Sequence, residues 1–293
     1  MAFDTDSKTA AYVVAVVAAI VVSAALAPVV WDYGTRSEGS VAVVPITGFV
    51  SSASVDTVAD DLREARENES IDAVVLKVDS PGGSAAASER LYLAVQRTAQ
   101  EMPVVASVQS MGASGAYYGM LPAERVYVTP ASMVGSVGVR GTVPPPAPGY
   151  EIRSGPDKAS GTMDQRREQI ETLQRAFVGT VMKHRGDDLS ISREQVAHAK
   201  VYTGARAVDN GMADRIGPLS EAVDDAASMA GLSDYDVVEK EPPQRGGIIL
   251  ASNGNETVVV EPGIGYRGVD TARLLMVHGE VNLDGEVIAN ASA

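Results

Sequence analysis

A chain of 293 residues that is 45% hydrophobic can bury a sizeable core; having no cysteine and three histidines, it excludes disulfides, a thiolate nucleophile and cysteine-ligated zinc, and offers little for a histidine metal site. The formal charge of −14, with 24 Lys and Arg against 38 Asp and Glu, leaves no clustered cationic surface for nucleic acid. Six lysines against eighteen arginines on an acidic chain fit a surface adapted to high salt, where screening makes net charge less costly; an ordinary acidic protein is the plainer alternative.

After a short N-terminal segment, 1–9, the run AAYVVAVVAAIVVSAALAPVVW over 10–31 carries no charge between Lys8 and Asp32. About 22 such residues are enough to span a bilayer core of ~30 Å, so a transmembrane helix is predicted. A cleaved signal peptide is the rival, but the run exceeds an ordinary h-region and MAFDTDSK lacks net positive charge. Lys8 and Arg36 nearly balance, so the positive-inside rule marks orientation weakly. Sequons at Asn68, Asn255 and Asn290 would permit glycosylation on an outer face.

Beyond a polar linker, 32–40, strand and helix patterns alternate. VAVVPI (41–46), AVVLKV (73–78), PVVASV (103–108) and RVYVT (125–129) are short apolar runs suited to buried strands, and helical spacing falls over 55–67 and from SPGGS to about residue 100. Continuous apolar strands separated by helices predict a largely parallel α/β sheet with its chemistry at the strand C-terminal ends. The proline-rich GTVPPPAPG (141–149) cannot be helix or central strand. A helix is predicted over 163–184, with Thr162 and Gln165 as a capping box, and shorter helices near Glu194, Ala205 and Leu219. From Pro242 the texture changes to strand-like ILAS, TVVVEP and RLLMV, a β-rich extension over 241–293 with nothing catalytic in it.

Three short stretches can carry chemistry. SPGG (80–83) follows a strand and precedes a helix, so its glycines can turn sharply and expose N–H groups as an oxyanion hole requires; a plain helix-entry turn explains it equally. Ser114, in SMGASGAYYGML, stands at a helix start among Gly112, Ala113, Gly115 and Ala116, where it serves either as an N-cap or as a hydroxyl beside free backbone N–H groups. Lys158, in SGPDKASG, is a general base only if its pKa falls by several units from ~10.4, through burial or positive potential. Arginine cannot do this work, so a lysine in an arginine-preferring chain stands out, although a solvated loop lysine is the plainer reading.

In combination these pieces resemble the signal peptide peptidase A family, membrane-anchored Ser/Lys peptidases of the ClpP/crotonase fold. The matching stretches are VDSPGGSAAASERLYLAV, SMGASGAYYGMLPAERVYVTPASMVGSVGV, RSGPDKASG and YTGARAVDNGMADRIG, in the family order over about Val41 to Ala230. The resemblance implies a parallel β-spiral with flanking helices over 41–240. It implies Ser114 as nucleophile, Lys158 as general base, Gly83 and Gly115 as oxyanion-hole donors, and Ser136, in GSVGV, as an auxiliary hydroxyl that orients the lysine. It further implies no cofactor or metal, apolar peptide substrates such as signal peptide remnants, a homo-oligomeric ring, and a single-pass membrane protein with its catalytic domain outside the cytoplasm. Tyr117 and Tyr118 either line the substrate groove or belong to the core.

Two departures from the family pattern stand out. Ala116 replaces the second glycine of ASGGYY, a small change. Asp157 precedes Lys158 where the family commonly has GPYKD, and its carboxylate would raise the lysine pKa unless it points elsewhere. The rivals are an inactive membrane scaffold, with Ser114 a cap and Lys158 solvated; a crotonase-like acyl-CoA enzyme, which would place acidic groups at these turns; and a ClpP-like membrane peptidase associated with stomatin-like proteins.

Overall fold

The computed structural model describes residues 12, 15–23, 37–141 and 163–242, together with strands at 249–253, 256–260, 274–277, 280–281 and 287–288. The chain divides into two units, Met1–Glu38 and Gly39–Ala293. In the first, residues 15–23 form helix α1, with Val16, Val17, Ile20, Val21 and Val22 all exposed. Among the described residues no helix is long and apolar enough to cross a membrane, and most of the predicted span 10–31 lies outside them. The proline-rich loop, Asp157, Lys158 and the Thr162 cap also lie outside the described residues.

The second unit is built on a ten-stranded sheet. Strands β1 (Gly39–Val50), β2 (Ile71–Ser84), β3 (Val104–Ala113) and β4 (Arg125–Val128) run parallel, as their apolar runs predict, and β8 (Arg215–Ile216) continues beside β4. The apolar runs are continuous because both faces are covered. Ala42, Val44, Ile46, Val74, Leu76 and Val78 point into the larger core, whereas the alternating Val41, Val43, Ala73 and Val75 point to the opposite face. Helices α2 (Ser52–Glu67), α3 (Ala85–Ala99), α4 (Gly115–Met120) and α5 (Met163–Arg185) supply residues to the first core. Helix α8 (Leu219–Met229) covers the other face through Ala222, Val223, Ala226 and Ala227. The sequence places α6 (Arg193–Ala197) and α7 (Gly204–Asp209) correctly as short helices.

The sheet is largely parallel, as expected, with six parallel pairings, but three antiparallel ones make it mixed, not the wholly parallel spiral that the resemblance implies. β5 (Met133–Gly135) pairs parallel with β3 but antiparallel with β7 (Val201–Thr203). β9 (Tyr235–Glu239) adds parallel to β1. Its pairing stops at Val43, two residues before Pro45, whose missing N–H would break a ladder there. Of the extension, β10 (Ile249–Asn253) and β11 (Glu256–Val260) form one hairpin and β13 (Glu280–Val281) and β14 (Val287–Ile288) another. Strand β12 (Leu274–Val277) instead joins the main sheet, antiparallel between β2 and β6 (Arg140–Gly141).

The last turn of helix α5 carries His184. The His184 ring meets Tyr92 edge-on at 5.6 Å between centroids, and its Nε2 lies 2.9 Å from the Tyr92 hydroxyl. Burial, then Lys183 and Arg185, lower its pKa. The folded state therefore binds this proton less readily than the unfolded chain, and stability falls as pH drops below the ordinary histidine value of ~6.5. Thermal melts between pH 7.5 and 5 should show Tm declining, with a shallower decline in His184→Gln; identical slopes would remove His184 from the account.

Candidate active site

Ser114 links the end of β3 to the start of α4, and its backbone is strained: φ is 53° and ψ −119°. A non-glycine residue with positive φ persists only where the surroundings hold it. Here its N–H donates to the Gly135 carbonyl at 2.8 Å, and its own carbonyl accepts from the Tyr118 N–H at 2.9 Å. The small neighbours flagged in the sequence are what let the chain pass: Gly112, Ala113, Gly115 and Ala116 are all buried.

The N-cap alternative fails on geometry, since the Ser114 side chain makes no capping hydrogen bond. The residue is 0% exposed and its Oγ has no hydrogen-bond partner among the described residues. Buried hydroxyls are nearly always partnered, and one that is not points to chemistry or strain. A serine on a sharp strand-to-helix turn, with its hydroxyl free of local bonds, is how hydrolases present a nucleophile.

The SPGG stretch, expected from the sequence as a turn after the strand, lies instead within β2 and beside this segment, with Ser80 paired to Gly112 across β2 and β3. A side chain on Gly83 is impossible, because its Cβ would lie 2.0 Å from the Val50 carbonyl oxygen of β1. The motif also contains a residue missed in the sequence: Ser80 is fully buried, its Oγ donating to the Gly48 carbonyl at 2.6 Å and accepting from the Gly82 N–H at 3.1 Å. That local turn bond is the kind serine makes near glycine, and the serine itself was the signal. Gly115 opens α4 directly after Ser114 and is buried.

Ser136 follows Gly135, whose carbonyl takes the Ser114 N–H, so the two serines belong to adjacent backbones. It too has positive φ, 55°, held by its N–H to the Lys200 carbonyl at 2.9 Å. Lys158 lies outside the described residues, so the structure brings together Ser114, Gly115, Ser136 and the SPGG stretch without it. Among the described residues no group of His, Asp and Glu could hold a metal ion.

The two tyrosines after Ser114 are core, not groove. Tyr117 is fully buried, its hydroxyl donating to the Met212 carbonyl at 2.8 Å, and burial pushes its pKa up. Tyr118 packs between Tyr92 and Phe177, at 5.2 and 5.0 Å between centroids, and bonds Glu89. Met212 belongs to the NGMAD stretch, where Arg185 grips Asp214 with two bonds of 2.9 Å and the Gly211 carbonyl with two of 3.0 and 2.8 Å. Helix α4 is thus tied through Tyr117 to the stretch that the Arg185–Asp214 ion pair holds.

A model of peptidase family S49 matches residues 96–144 and 158–233. The first stretch holds Ser114 and Ser136, and the second begins at Lys158. The chain is similar to peptidase family S49 over these two stretches, 125 of its 293 residues. It is 28% identical over 290 residues to Protease 4 of Salmonella typhi, covering 88% of its own length and 46% of that protein's. It is also 28% identical over 218 residues to the chloroplastic serine protease SPPA of Arabidopsis thaliana, at 67% of this chain and 32% of that one. It therefore spans less than half the length of either relative. Among solved structures, a mutant of the 1510-N membrane-bound stomatin-specific protease matches with a TM-score of 0.51 and 16% identity, over 71% of this chain and all of that one. That likeness shows a shared fold.

Proposed function

We propose that this chain is a serine endopeptidase of the S49 type that degrades cleaved signal peptides and other apolar peptides with a Ser114/Lys158 dyad. The observation that carries the reading is the buried, uncapped Ser114 hydroxyl on a strained strand-to-helix turn. Neutral Lys158 removes the Oγ proton as Oγ attacks the substrate carbonyl carbon, and the N–H groups of Gly83 and Gly115 stabilise the developing oxyanion. The lysinium then protonates the leaving amine as the C–N bond breaks. Water, deprotonated by the same lysine, hydrolyses the acyl-enzyme and restores Ser114. Ser136 orients the lysine amine. Residues 10–31 anchor the chain as a single-pass protein with the domain on the outer face of the membrane, and copies assemble as a ring. No cofactor or metal takes part in these steps.

Hydrolysis of an apolar, signal-like peptide by the full chain in high salt tests the reading through Lys158→Ala. Nucleophile and base act as a unit, so the loss expected is on the order of 10⁴-fold or more with an unchanged Tm. Loss of less than tenfold would move the base elsewhere, and a parent protein inert toward every peptide would favour the scaffold.

A further inference from the structure

Strand β12 lies in an unusual place for a C-terminal appendage. The sheet order around it is β6, β12, β2, with Met276 opposite Gly83, Val277 opposite Gly82 and Leu275 opposite both Ser84 and Arg140. The other flank of the SPGG stretch is closed by β1, where Phe49 faces Gly82 and Val50 faces Gly83. An extended peptide that added to this sheet at the SPGG stretch would therefore have to lie where β12 lies, antiparallel to β2. β12 also touches α4, the helix that begins at Ser114. Ser114 itself has no exposed surface, so no outside carbonyl reaches its Oγ in this arrangement. Finally, Leu274–Val277 reads LLMV, the apolar character assigned above to the substrate.

We propose that β12 is an inhibitory strand carried by the chain itself, filling the peptide cleft between β2 and β6 until a substrate displaces it. This rests on the peptidase reading of Ser114. The occupant is residues 274–277 of the same chain, and the interaction is strand addition, so competing peptides share its apolar, extended form.

The absence of cysteine makes a direct test available. Opposed residues of an antiparallel pair lie about 4.5–5.5 Å apart at Cα, within the range a disulfide spans. In Arg140→Cys/Leu275→Cys, mild oxidation of the full chain should close a disulfide visible by mass and by non-reducing electrophoresis. The oxidised protein should hydrolyse an apolar peptide at least tenfold more slowly than the same protein reduced. Met276→Pro, which removes a ladder N–H, should raise the rate about tenfold over the parent, the equivalent of ~1.4 kcal/mol of docking lost, and Ser114→Ala in that background should abolish the gain. Failure of the disulfide to form overturns the docking; equal rates in oxidised and reduced protein overturn the inhibition. If no form shows Ser114-dependent hydrolysis, the peptidase reading fails and inhibition falls with it, while the disulfide still reports whether the strand lies between β2 and β6.

Discussion

Ser114→Ala is expected to remove peptide hydrolysis, on the order of 10⁴-fold or more, while leaving Tm unchanged or slightly higher. The two halves of this outcome have different causes. Activity goes because no other hydroxyl occupies the turn between β3 and α4. Stability stays because the Oγ has no partner among the described residues to lose: deleting a buried, unsatisfied polar atom relieves a desolvation cost instead of adding one. The strained backbone is held by the Gly135 and Tyr118 bonds, which alanine keeps. An N-cap serine would behave oppositely, costing about 1 kcal/mol on substitution with no effect on rate. Circular dichroism melts beside initial rates read both at once, and a destabilised but active variant would refute the assignment.

Arg185→Ala should be among the most damaging changes away from the turn. The side chain is 5% exposed and makes four hydrogen bonds, two to Asp214 and two to the Gly211 carbonyl. Truncation strands the Asp214 carboxylate, which retains the Val126 N–H at 2.7 Å but loses its counter-charge, and leaves the Gly211 carbonyl short of donors. Losing one partner of a fully buried pair costs about 3–5 kcal/mol; with Asp214 24% exposed the lower end applies, about 3 kcal/mol, a fall in Tm on the order of 10 °C at 2–4 °C per kcal/mol. Arg185→Lys should recover only part, since a point charge cannot span the carboxylate and the carbonyl together. The position cannot be repacked easily: Gly211 sits at φ 82°, and a Cβ there would meet the Asp188 carbonyl oxygen at 2.0 Å. Because Tyr117 bonds the Met212 carbonyl next door, the rate should fall with stability. A change in Tm below 2 °C would show that the pair contributes little.

The long elements were legible because their patterns are long. The apolar runs of β1 to β4 and the helical spacing of α2, α3 and α5 lie close to where they were expected. β5 to β8 span two to three residues each, too short for any periodicity, and they include β5–β7, one of the antiparallel pairs that, with those of β12, make the sheet mixed. At the site, SMGASG marked a close backbone passage without saying what it was for, since a cap and a nucleophile require the same small neighbours; only φ and the direction of Oγ separate them. Tyr117 and Tyr118 were ambiguous until Met212 and Glu89 appeared as partners. Lys158 was singled out by family resemblance and by the scarcity of lysine, and no pattern within the chain ranks it above a solvated residue.

The short strands have another effect, on where this sheet can grow. Beyond β9, one margin is a five-residue strand bearing Asp236 and Glu239, charges that discourage edge-to-edge association; the opposite margin is β8, only two residues long. β7 is three residues and β6 two. Among the described residues, then, the one place where an extended chain gains a ladder on both sides is the gap between β2 and β6. Backbone pairing, which is indifferent to side chains and would otherwise recruit any passing strand, is confined to the gap that β12 occupies, so the fold offers a passing extended chain little free edge.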